Sequence, residues 1–133
     1  MADIQDTIRV RIEAIEEAYE FLLAFAAQGV VEATGPAAEE VRRFLAALAA
    51  ALDGLEAVAR VDIGRLSPDV AQAIAAFAGV VGEDAHKALA AVRLAQASTR
   101  IGSQLIDNLN ANIHLRAVLT DLFLLDELIG ELT

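Results

Sequence analysis

The seven residues ASTRIGS, 97–103, decide how this chain folds. Long stretches with helical apolar patterning lie on both sides, and a turn here or a straight run through gives two different architectures. A turn yields four helices of similar length, the components of an up-and-down bundle. Continuity makes residues 68–131 a single helix about 90 Å long, with no partner of its own length in the chain, and forces an intertwined oligomer. Gly102 is the one turn signal in the stretch, with no proline and no second glycine beside it. The expectation is an all-α, four-helix up-and-down bundle with helices over about 3–28, 36–60, 67–97 and 101–131, and the merged third and fourth helices are its alternative.

Upstream of the boundary, Ser67-Pro68-Asp69 combines a hydroxyl cap, a proline suited to the first helical position and an acid near the positive end of the helix dipole. Val70, Ile74, Phe77, Val81, Ala88, Val92 and Ala95 then trace one face, flanked by Ala73, Ala76 and Ala91, whose small side chains let a neighbouring helix come close. Before it, Gly35-Pro36 opens a helix with the seam Val41, Leu45, Leu48, Leu52, Leu55 and Ala59, and VDIGRL follows as the connection. The first helix carries Ile8, Ile12, Ile15, Tyr19, Leu22 and Ala26 along one seam and Ala14, Ala18, Phe21 and Phe25 along a second, so it meets two neighbours. Gly29 is its expected stop.

Downstream, Ile101, Leu105, Leu109 and Ile113 lead into AVLTDLFLLDELIGEL, 117–132. Poor helix formers crowd DNLNAN, 107–112, and mark a kink. In the last stretch Val118, Leu119, Leu122, Phe123, Leu125 and Ile129 fill a broad arc, while Leu124, Leu128 and Leu132 spill onto the other side. A helix apolar on most of its circumference is normally surrounded by protein. The expectation is that these six residues pack partly on the bundle and partly on a second copy, making a homodimer.

With 133 residues the chain reads as a single domain, 1–133, long enough to bury one core without staples. Hydrophobic residues make up 56% and charged ones 23%, so the apolar content sits in amphipathic segments and not in one block. The longest uncharged stretch, residues 70–82, is shorter than the roughly 18 residues a membrane span needs. The N-terminal MADIQDTIRVRIEA mixes acids and arginines where a secretory signal has a basic start and an apolar run, so a cytoplasmic location is expected. Cysteine is absent, which removes disulfides and thiolate metal sites. The net charge of −10 repels phosphate backbones and anionic headgroups, so no nucleic-acid partner is expected and a protein partner is favoured.

Glu83-Asp84-Ala85-His86 contains the E-x-x-H step of di-iron helical proteins, but that chemistry needs a second such step, and Ala111 stands three before His114. No metal and no cofactor are therefore expected. His114 falls on a polar stripe with Asp107 and Asp121, with Ser103 and Asn110 close by, read as a wetted outer face. Arg11, Asp84 and Asp126 matter more because each interrupts an apolar stripe, and a buried charge must find a partner or neutralise. Arg11 is expected to pair with Asp126 or Asp84, with capture of an anionic ligand as the alternative. No nucleophile set and no glycine-rich phosphate loop occurs, so no catalytic residues are assigned.

IRVRIEAIEEAYEFLLAF resembles the first helix of the all-helical chorismate mutases, and GPAAEEVRRFLAAL the start of their second, together about a quarter of the chain. That resemblance implies cations around a dianionic substrate. Arg11 stands for one, whereas Gln28 falls where another arginine belongs and no lysine precedes Lys87. In composition the chain is similar to the phasins that coat polymer granules, which are also alanine-rich, helical and poor in cysteine. The expected function is a non-enzymatic accessory or scaffold protein that dimerises and binds another protein; an apolar carrier or coat, and a mutase-like enzyme, are the alternatives.

Overall fold

A computed structural model describes residues 4–60 and 66–132, with the side chains of residues 4 and 5 left aside; Asp3 and residues 61–65 of the expected VDIGRL connection lie outside the described residues. The fold is all-α. Among the described residues there are six helices where four were expected: α1 (Ile4–Ala27), α2 (Gly35–Leu52), α3 (Leu55–Ala59), α4 (Pro68–Ala97), α5 (Ser103–Ala111) and α6 (Ile113–Leu132).

The ASTRIGS stretch does turn, and the merged helix is excluded. Ser98 ends α4, its backbone N–H returning to the Ala95 carbonyl. The turn then locks against the loop after α1: Ala33 N–H donates to the Ile101 carbonyl at 2.7 Å and Ser103 N–H to the Val30 carbonyl at 2.8 Å. The Ser103 hydroxyl donates to the Phe25 carbonyl at 2.7 Å and accepts from Val30 N–H at 2.8 Å. Gly102 is required here by space, since a Cβ would overlap the Val31 carbonyl oxygen.

The other two interruptions split expected helices. In the segment 36–60 the seam Val41, Leu45, Leu48, Leu52, Leu55 and Ala59 is buried throughout, but the backbone breaks at Asp53-Gly54, where Gly54 adopts φ +71. Glycine takes that left-handed conformation at no steric cost. In the segment 101–131 the break falls at Asn112, inside the DNLNAN kink, and the Asn112 side-chain oxygen accepts the His114 N–H at 3.0 Å as a cap for α6.

The helices close a ring of neighbours: α1 packs on α2, α2 and α3 on α4, α4 on α6, and α5 and α6 back on α1. Cross-links fix the directions. Arg11 near the start of α1 reaches the end of α2, and Arg42 near the start of α2 reaches the Gln96 and Ser98 carbonyls at the end of α4, at 3.2 and 2.8 Å. Ser103 meets the end of α1, and Arg9 meets Asp126 toward the end of α6. Each rod therefore runs opposite to its neighbours. One apolar core fills the ring, from Ile8, Ile15 and Leu22 of α1 through Leu45 and Leu48 of α2 and Val81 and Val92 of α4 to Leu115 and Leu122 of α6. Phe21 and Phe44 stack at 4.0 Å beside it, joining α1 to α2.

Candidate functional site

Two of the three charges singled out in the sequence lie on α4 and α6, and the structure gives each a partner other than the one expected. Asp126 is bonded by Arg9, whose Nε stands 3.3 Å from its carboxylate, so the ion pair forms two residues before Arg11. Arg11 is half-buried and turns the other way, its Nη1 donating to the carbonyls of Asp53 at 2.7 Å and Ala51 at 3.0 Å. A cation on the last carbonyls of α2 satisfies acceptors that the helix cannot satisfy itself and complements the negative end of its dipole. The expected Arg11–Asp126 or Arg11–Asp84 pair is thus not formed, and the Arg11 guanidinium is committed to helix α2.

Asp84 of α4 instead meets Asp121 of α6. Burial, then a side-chain hydrogen bond to Asp84 and the charge of Asp84, push the Asp121 carboxyl up from 3.8 to about 7. Two carboxyl groups can bond to each other only with a proton between them. Asp121 Oδ2 is enclosed and meets no N–H or hydroxyl donor among the described residues.

The polar stripe read as a wetted face is corrected at most of its positions. Asp107 is exposed, whereas His114 and Asp121 are half-buried and Ser103 and Asn110 are buried. Both atoms of the Asn110 side-chain amide lack a hydrogen-bond partner, and nothing in the structure explains that. Periodicity showed Asp121 in line with His114 and Asp107 but turned that line outward, whereas His114 and Asp121 lie on the edge of α6 that meets α4. The one sequence signal for Asp121 is an acid on the border between the apolar and polar arcs.

Of the six residues expected to hold a second copy, Val118, Leu122, Leu125 and Ile129 are inside the chain's own core and Leu119 is half-buried. Only Phe123 is exposed, at 45%. The apolar side chains that α6 leaves in solvent are Ile113 at 69%, Leu124 at 58%, Phe123 and Leu132, and α4 beside it leaves Val80 and Leu94 at 76%. Ile113, Leu124 and Leu132 of α6 with Val80 and Leu94 of α4 form an apolar margin on the outer α4–α6 surface, whereas Phe123, about 100° around the helix from Leu124, falls on the flank of α6 toward α1, where Asp126 meets Arg9.

Glu83 and His86 lie on the opposite edge of α4 and line a groove of about 520 Å³ with Asp53, Glu56 and Gly82. Gly82 lets α3 approach closely, for a Cβ there would stand 2.9 Å from Glu56 Cβ. Among the described residues no three His, Asp or Glu side chains are grouped to hold a metal ion. No described helix is long and apolar enough to cross a membrane.

No family model matches the chain, and no curated protein and no solved structure shows significant similarity to it. The resemblance of α1 and α2 to chorismate mutase helices rests on their patterning alone, and Arg11, the cation it depended on, lies on a helix end.

Proposed function

We propose that the chain is a non-enzymatic accessory or scaffold protein that self-associates, as a dimer, through the outer apolar surface of its C-terminal helix and binds another protein. The observation that supports this reading is the exposure of Ile113, Phe123, Leu124 and Leu132 on one helix of a chain whose core is already closed. Scattered exposed leucines are ordinary, but Ile113 and Leu124 on one line of α6, beside a second helix with Val80 and Leu94 exposed, mark an interaction surface. The residue types and positions put forward for self-association change accordingly, from the inward arc of α6 to its outward one. Arg11 and the Asp84–Asp121 pair belong to structure in this reading, and the exposed acids of α1 and α2, Glu13, Glu17, Glu20, Glu39 and Glu40, favour a basic protein partner.

Solution mass measured from micromolar to near-millimolar concentration tests the reading. Two chains per particle are expected, with weak binding of a hydrophobic dye because the apolar margin is covered. One chain throughout, with strong dye binding, would favour a coat for apolar material and overturn the dimer.

A further inference from the structure

Helix α4 carries a second periodicity beside its buried face, of which Phe77 and Ala91 also pack against the core. Phe77, Val80, Asp84, Lys87, Ala91 and Leu94 recur by three and four along its α6 side, next to the buried stripe Ile74, Ala78, Val81, Ala85, Ala88 and Val92. Val80, Lys87 and Leu94 are exposed and Phe77, Asp84 and Ala91 half-buried, so the stripe is open to a partner. About its midpoint between residues 85 and 86 it is self-complementary. Phe77 mirrors Leu94, Val80 mirrors Ala91, and Asp84 mirrors Lys87.

We propose that two copies of the chain associate antiparallel along this stripe, α4 against α4, with Lys87 of each copy set beside Asp84 of the other. The proposal rests on the self-association reading above and assigns it one surface and one register. A two-fold axis makes every contact occur twice, so a stripe that mirrors acid onto base and apolar onto apolar is matched to itself. Three-and-four spacing is the pattern by which facing helices interlock.

Charge selects a second copy over other occupants. A chain of net charge −10 repels itself, so self-association needs a place where a cation meets an acid. Lys87 is the sole lysine, and its ammonium makes no ion pair among the described residues. Asp84 faces the Asp121 carboxyl and makes no ion pair among the described residues. The second copy delivers an ammonium to each acid pair, and the flanking apolar residues screen the contact from water. On α6, which runs antiparallel beside α4 with Asp121 level with Asp84, the same axis carries Ile113 of one copy toward the Leu124 turn of the other.

The chain has no cysteine, so introduced pairs report cleanly. Positions 80 and 91 of one helix are about 16 Å apart by helical rise, too far for a disulfide, so a bond between them joins two chains. Val80→Cys with Ala91→Cys is expected to give covalent dimers on air oxidation, and either change alone is not. Asp84→Lys or Lys87→Asp alone is expected to raise the dimer Kd at least tenfold, and the two together to restore it. A dimer by mass that ignores the charge changes and does not cross-link in the double cysteine variant overturns this register while leaving self-association in place. A single chain at every concentration overturns both.

Discussion

Asp121 is the residue at which the fold and pH meet. Its carboxyl is raised to about 7, so between about pH 4 and pH 7 the folded chain holds a proton that the unfolded chain has released. The stabilising contribution of that proton is complete below about pH 4 and disappears as pH rises through 7. The comparison belongs between variants and not between buffers, because everything but the one carboxyl is then common to both proteins. Asp121→Asn replaces the protonated carboxyl by an amide that donates to Asp84 at any pH. Its melting temperature is expected to exceed that of the parent at pH 8 and to converge on it below about pH 4; the same dependence of melting temperature on pH for both proteins would show that Asp121 holds no extra proton in the fold. Gly102 is the complementary case, set by space and not by charge. A methyl group at 102 displaces the Val31 carbonyl and the two backbone bonds around it, so Gly102→Ala is expected to cost about 1–3 kcal/mol in urea unfolding.

At the scale of elements, the arginines of α1 allow two kinds of interaction to be ranked. Arg9 makes the recognisable ion pair, but its side chain is 55% exposed, and such pairs contribute about 0–1 kcal/mol. Arg11 makes charge-assisted bonds to the carbonyl end of α2, a helix that must stop there because Gly54 turns left-handed. Arg11→Met is therefore expected to lower stability by about 1–2 kcal/mol and Arg9→Met by less, and chemical denaturation of the two variants reads the order directly. The same helices show what was legible beforehand. Buried seams followed from spacing, because a core stripe must recur at the helical period, and the seam through Leu52, Leu55 and Ala59 was found intact. Periodicity also concealed the break inside it, since a two-residue turn can preserve the side on which the next leucine falls. Asp53-Gly54 is a turn dipeptide set inside an unbroken apolar seam, and its signal is local where the seam's is not. The partner of Arg11 was illegible because carbonyls at a helix end have no residue type.

For the whole molecule, the open question was where the leucines of 117–132 find cover, and α6 divides them between two destinations. Leu122 is fully enclosed by the chain itself, whereas Leu124, two residues on, is 58% exposed. Hydrophobicity alone could not separate them, because both sides of α6 are apolar and only the tertiary direction of the core, toward α1 and α4, tells inside from outside. The two positions should therefore fail differently when altered. Leu122→Ala removes methyl groups from a packed interior and is expected to cost about 2–5 kcal/mol, with a lowered melting temperature and the subunit number unchanged at temperatures where the chain is folded. Leu124→Glu adds a charge to the outer surface, leaves the melting temperature of the single chain within a few degrees, and is expected to shift the solution mass from two chains toward one, since an uncompensated carboxylate in an apolar contact resists burial. If the mass follows Leu122 instead, the inward arc is being shared between copies and the ring of helices opens to exchange segments; if Leu124→Glu changes neither mass nor dye binding, the outer margin of α6 takes no part in association.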